Sequence, residues 1–119
     1  MGNLLLVIIA YIIVAVLTPF GIAWAIIFHL FKMPIYLKKF AIGIDQIGNV
    51  TCQYMLNFFL IKKDSKFKFG NEDQTVSYVL GINKECNTLT KLGKITCYLL
   101  NWLDPLHVEK AVSNEKNKQ

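Results

Sequence analysis

From Leu4 to Phe31 the chain carries no Asp, Glu, Lys or Arg, and this run, LLLVIIAYIIVAVLTPFGIAWAIIFHLF, is 28 residues long. About 20 apolar residues suffice for an α-helix to cross a hydrocarbon core of roughly 30 Å, so the segment can span a bilayer with some tilt. A soluble fold would have to bury it, and the 88 residues that follow are too few to wrap 28 apolar ones. Residues 1–32 are therefore read as a transmembrane anchor. A cleaved secretory signal needs a basic start and a shorter apolar run, whereas Met1-Gly2-Asn3 has no basic side chain. N-myristoylation needs a hydroxyl residue where Leu6 stands. Within the run, LTPFG places Pro19 and Gly21 near the middle, where a missing helical hydrogen bond and a ring clash predict a kink. Trp24 and His29 fall toward the far end, as interfacial side chains do.

All 13 basic residues are lysines and all follow position 31, with Lys32, Lys38 and Lys39 next to the anchor. The bias of basic residues toward the cytoplasm predicts that the N-terminus lies outside and the rest inside. A membrane is therefore the expected location. Cys52, Cys86 and Cys97 are odd in number and have no CxxC spacing, which indicates neither a disulfide framework nor a zinc site. They read as packing thiols, and no cofactor is expected.

A second apolar stretch, from about Phe40 to Ile61, differs in one respect. Asp45, Asn49, Gln53 and Asn57 recur every fourth residue, with Gln46 beside them. On a helix they form one narrow polar stripe, and such a stripe cannot face lipid cheaply. It must meet water, another segment or a second copy. The preferred placement is an amphipathic helix lying in the interface, stripe toward water, with Lys38, Lys39, Lys62 and Lys63 on the cytoplasmic face. In the alternative the helix crosses, hides the stripe in a bundle or pore, and leaves Lys62, Lys63, Lys66 and Lys68 outside against the usual bias.

The connector KKDSKFKFG alternates lysines with Phe67 and Phe69. Beside membrane segments, Lys62, Lys63, Lys66 and Lys68 are expected to meet anionic lipid headgroups while the phenylalanines pack inward or dip into the interface. Nucleic acid is disfavoured as a partner, since the chain has no arginine to supply a bidentate phosphate fork. Beyond Gly70, Asn71 and Gln74 suggest a capping box opening a helix through about Ile82. A further helix is predicted from about Thr88 to Leu103, its apolar face carrying Leu92, Ile95, Leu99, Leu100 and Leu103. Asp104-Pro105 reads as an N-cap and first helical position for a last short helix. The polar end, residues 112–119, is expected to be disordered, which leaves residues 33–111 as a helical membrane-associated domain.

Strong enzymatic signatures are absent: there is no Gly-rich phosphate loop, HExxH, GxSxG or paired CxxC. One scattered constellation remains, Asp45, Asp73, Thr75, Ser77, Asp104 and His107, which a fold could gather. Asp104 and His107, three positions apart, could hydrogen-bond and fix the imidazole tautomer, although a simple capping contact explains the pair as well. Asn49-Val50-Thr51 matches a glycosylation sequon but lies within the striped helix on the expected cytoplasmic side.

Ile44-Asp45-Gln46-Ile47-Gly48-Asn49, Gly70-Asn71-Glu72-Asp73-Gln74-Thr75-Val76-Ser77 and Trp102-Leu103-Asp104-Pro105-Leu106-His107-Val108 occur in that order. Over Phe40 to Ala111 the chain thereby resembles a group of small bacteriophage and prophage proteins. Their pattern runs LDQxxN, then Gly-x-Pro-Asp-Glu-Thr-x-Ser, then aromatic-Asp-x-x-His-Cys. Here Glu72 replaces the proline, Gln74 the glutamate and Val108 the cysteine, which argues against a His-Cys metal or nucleophile site. The family has no assigned activity, so the resemblance implies a phage-encoded membrane protein and marks Gln46, Asp73, Thr75, Ser77, Asp104 and His107 as motif positions.

The expected architecture is all-α: a kinked transmembrane helix, an amphipathic or second transmembrane helix, and short cytoplasmic helices. Tyr54, Met55, Leu56, Phe58, Phe59, Leu80, Leu99 and Trp102 are the expected shared apolar contact. The expected function is a non-enzymatic accessory protein, a membrane-anchored scaffold that binds a phage or host protein or a second copy of itself. A holin-like pore lined by the Asp45 stripe is the first alternative. An interfacial enzyme using Asp45, Asp73 or His107 is the second.

Overall fold

A computed structural model describes residues 1–118; Gln119, the last residue of the expected disordered tail, lies outside them. All regular elements among the described residues are helical, and one isolated antiparallel bridge joins Ile61 to Leu89. The chain divides into two compact units, Met1–Phe40 and Ala41 onward.

In the first unit, α1 (Gly2–Phe28) is one uninterrupted element despite Pro19 within it. It is long and apolar enough to cross a membrane, and Ala25 is its only buried residue. A short 3-10 turn, Leu30–Lys32, follows, and then α2 (Met33–Thr51) begins with Pro34 in its first turn, where a missing N–H costs nothing.

The expected single helix over Phe40 to Ile61 is two. α2 ends at Thr51 and α3 (Gln53–Phe59) starts after Cys52. Beside the break the Gln53 side chain donates to the Val50 carbonyl at 2.9 Å. The connector then turns inward. Phe69 packs inward and is buried, while Phe67 is partly exposed.

α4 (Val76–Glu85) is the centre of the second unit. Its N-cap is Thr75, whose Oγ1 accepts from the Tyr78 N–H at 3.0 Å, so the capping box expected at Asn71 and Gln74 is overturned. Those two residues instead form a turn, the Gln74 N–H donating to the Asn71 carbonyl. α5 (Lys91–Leu103) is capped by Thr90, and α6 is His107–Lys118. The α6 helix thus continues through most of the segment expected to be disordered, held by Lys116–Glu85 at 3.2 Å and Lys118–Glu115 at 3.6 Å.

Val79, Leu80, Ile82, Val108 and Val112 fill the space between α4 and α6, with Leu60, Ile61, Phe69, Leu89 and Cys97 closing the core. Glycines permit the close approaches. A Cβ on Gly81 would stand 2.5 Å from the Val108 carbonyl oxygen, and one on Gly93 would stand 2.1 Å from that of Leu60.

The expected apolar contact is largely overturned. Leu80 is fully buried and Leu56 packs against the core. Tyr54, Met55, Phe58, Phe59, Leu99 and Trp102 are exposed, Trp102 by 73%. α5 is rotated relative to expectation: it buries Gly93 and Cys97 and turns Leu92, Ile95, Leu99 and Leu103 outward. Small residues let its backbone approach the Leu60 turn, and the bulky face is left over.

Candidate functional site

The polar stripe of α2 and α3 runs along the segment that leads into α4. Asn49, fully buried, accepts from the Gly70 N–H at 3.0 Å and donates to the Asn71 and Gln74 carbonyls at 2.9 and 2.8 Å. Asn57 accepts from the Phe69 N–H at 2.7 Å and donates to its carbonyl at 3.1 Å. Gln46 donates to the Asp73 carbonyl at 3.4 Å. Gln53 lies over Gly70, where a Cβ would meet its Oε1 at 2.5 Å. Gly70 has a φ of +124°, a conformation glycine adopts without strain. Of the three partners open to the stripe, water, another segment or a second copy, the fold supplies another segment, with Asn49 buried and Asp45, Gln53 and Asn57 half-buried. The stripe meets the chain's own backbone, giving partners to peptide groups that no helix or strand would satisfy.

Asp45 ends this row and works differently. Its Oδ1 accepts from the Val76 N–H at 2.9 Å, and its Oδ2 accepts from the Ser77 N–H at 3.4 Å and the Ser77 hydroxyl at 2.7 Å. A carboxylate from another helix thus sits on the N-terminus of α4, where free amides and the helix dipole favour negative charge. Ser77 Oγ lies 3.0 Å from His107 Nε2, and His107 Nδ1 lies 3.0 Å from Asp104 Oδ2. The result is a chain Asp45–Ser77–His107–Asp104 across three elements.

The Ser77 hydroxyl has a single proton, given to Asp45 at 2.7 Å, and the donor and acceptor roles of the two imidazole nitrogens follow the tautomer of His107. Hydrogen bonds from His107 and then Lys110 hold the Asp104 carboxyl below its ordinary range. The Glu109 carboxyl is likewise lowered, chiefly by Lys84, while burial opposes. Burial pushes the Cys97 thiol up, which suits a packing thiol.

Of the six scattered residues, the fold gathers Asp45, Ser77, Asp104 and His107. Thr75 stands at the same helix end as its cap, and the exposed Asp73 contributes only main-chain groups. No protein-family model, curated protein or solved structure matches the chain.

A second polar centre was not singled out from sequence. Asn83 is fully buried, donates to the Val79 and Phe67 carbonyls at 2.8 and 2.9 Å, and accepts from the hydroxyls of Ser65 and Thr88. The available signal was an amide sharing a helix face with Val79 and Leu80. No cluster of metal-ligating side chains occurs among the described residues. In the first unit, a shallow groove of about 360 Å³ is lined by Trp24, His29, Lys32, Tyr36 and Lys39 among others.

Proposed function

We propose that the chain is a membrane-anchored accessory protein of the phage type, without catalytic activity, in which α1 spans the bilayer and the second unit is a helical scaffold on the cytoplasmic side. The observation that carries this reading is the exposure of α1, a 27-residue apolar helix with one buried residue. No protein core covers it, and lipid is the solvent in which such a surface is stable. The lysines that begin at Lys32 support the orientation. The resemblance of the three motifs supports a phage or prophage origin and a phage or host protein as the scaffold's partner.

The two other readings have less behind them. A holin-like pore needs Asp45, Asn49, Gln53 and Asn57 in a water-filled lumen, and in the folded unit their side chains are taken by the chain itself. An interfacial hydrolase could use Ser77, His107 and Asp104, whose spacing is that of a nucleophile, base and orienting acid. However, the α4 amides that would stabilise an oxyanion are occupied by Asp45, which also accepts the hydrogen bond of the Ser77 hydroxyl.

Cys86 is the exposed native thiol of the second unit. In a chain with Cys52 and Cys97 replaced by alanine, a membrane-impermeant maleimide added to intact cells should label Cys86 only after the cells are opened, and the protein should resist alkaline extraction from membranes. Labelling from outside would overturn the orientation, and release by alkali would overturn the anchor.

A further inference from the structure

The sequence reads the apolar side of α5 as core, yet of its five residues only Leu100 packs against the core and the others are bare. Leu92, Ile95, Leu99 and Trp102 are each about half exposed or more. At 100° per residue they share a sector of about 80°, opposite Gly93 and Cys97. At its N-terminal end α5 is fastened to α3: Thr90 N–H donates to the Leu60 carbonyl at 3.0 Å and Thr90 Oγ1 to that of Phe59 at 2.6 Å. Phe58 and Phe59, themselves exposed, thus end α3 where α5 begins.

We infer that this α3–α5 face is itself a membrane-binding surface, seated in the interfacial zone of an anionic leaflet. The inference rests on the anchor reading above and adds a second, in-plane contact to it.

Charge distribution favours lipid as the occupant. Lys84, Lys110, Lys116 and Lys118 are paired with Glu109, Asp104, Glu85 and Glu115. Lys91 and Lys94 on α5 are exposed and form no ion pair among the described residues. Asp45 is the only carboxylate on α2, α3 or α5, and it is engaged by α4. An apolar helix face edged by free lysines and free of carboxylates is suited to acyl chains below and anionic headgroups beside it. Trp102 has the amphipathic ring that favours the headgroup level.

Continuity adds to this. Twelve residues, 29–40, link α1 to the second unit, and even fully extended they reach only about 40 Å. The face is therefore held at high effective concentration beside the bilayer that α1 enters, and a weak lipid affinity suffices.

The test uses the full chain in proteoliposomes containing phosphatidylglycerol, in two single-tryptophan forms, Trp24→Phe and Trp102→Phe. Each is challenged with acyl-brominated lipid and with aqueous iodide. Trp102 should be quenched by brominated lipid and shielded from iodide. Iodide quenching of Trp102 alongside bromine quenching of Trp24 would overturn the face and leave the anchor standing. Shielding of Trp102 from both quenchers would mean that protein, a second copy included, covers the face, and would equally overturn it. If Trp24 too were blind to bromine, the anchor reading itself would fall.

Discussion

Helices α4 and α5 lie side by side in the second unit and use their apolar residues in opposite ways. α4 buries seven of its ten residues, among them Asn83 and Ser77, whereas α5 buries only Gly93 and Cys97 of thirteen. The more amphipathic of the two helices by sequence is the one with its oily side out. Apolarity alone does not select the core. The buried side is the one whose backbone can come close, through Gly81 against Val108 and Gly93 against Leu60, and whose polar groups all find partners. On α2 and α3, similarly, the polar stripe faces inward while Ile44, Ile47, Met55 and Phe58 face outward.

The contrast is broken most severely at its inward side. Asn49→Ala would orphan the Gly70 N–H and the Asn71 and Gln74 carbonyls, at about 3 kcal/mol or more. Denaturant unfolding of the full chain in mild detergent, followed by circular dichroism, measures this. Gly93→Ala should cost a similar amount, about 3 kcal/mol, because its Cβ would meet main chain. Gly48→Ala is the matched control: it meets only Val76 Cγ2 at 3.8 Å, and helix propensity should make it neutral or stabilising by up to about 1 kcal/mol.

Asp45→Ala comes next, at about 2 kcal/mol, through loss of the carboxylate that accepts from the Val76 N–H and from the Ser77 hydroxyl. A double-mutant cycle with Ser77→Ala sharpens the point. Coupling of about 1 kcal/mol is expected for a shared network, and additivity would detach Ser77 from Asp45.

On the outward side the same measurement should barely respond. Leu99→Gln, at an exposed position, should change stability by no more than about 0.5 kcal/mol in detergent. A large loss would mean that α5 has a protein-covered face.

The smallest effect concerns acid. Asp104 and Glu109 have folded pKa values lowered from ordinary values of 3.8 and 4.5. Their contribution is present above those ordinary values and is lost as pH falls through the lowered ones. Thermal midpoints should therefore decline only at acid pH below that range, and Asp104→Asn should remove part of the slope. Both pairs are solvent-exposed, so the change should be small.

Much of this fold was legible in the sequence, because α1 is defined by an absence of charge that no tertiary context can alter. The four-residue spacing of Asp45, Asn49, Gln53 and Asn57 also announced a special face. Its destination was not legible, since a stripe specifies that polar partners exist and not whether they are water or the Gly70–Ser77 backbone. Thr75 prevailed over Asn71 as the α4 cap because the Asn71 side-chain oxygen already accepts from the Asp73 N–H, and α5 starts after Thr90, whose Oγ1 accepts from the Gly93 N–H. The α5 face was misread for a different reason. Periodicity locates an apolar stripe, but only the Gly93–Leu60 approach reveals which side of the helix the fold can accept. At the candidate site, the Asp104–His107 contact was legible from its three-residue spacing, whereas the links from Ser77 to His107 and to Asp45 depend on long-range contacts of α4 with α6 and α2, to which no local pattern points.

The division between an inward polar clasp and an outward lipid face is tested most directly by spin labels in proteoliposomes. One is placed at Ile95→Cys on α5 with Cys52, Cys86 and Cys97 replaced by alanine, and the other at native Cys86 with only Cys52 and Cys97 replaced. Relaxation by lipid-soluble oxygen with shielding from an aqueous nickel chelate is expected at position 95, and the reverse at Cys86. Ready access of the chelate to both labels would contradict a lipid-seated α5.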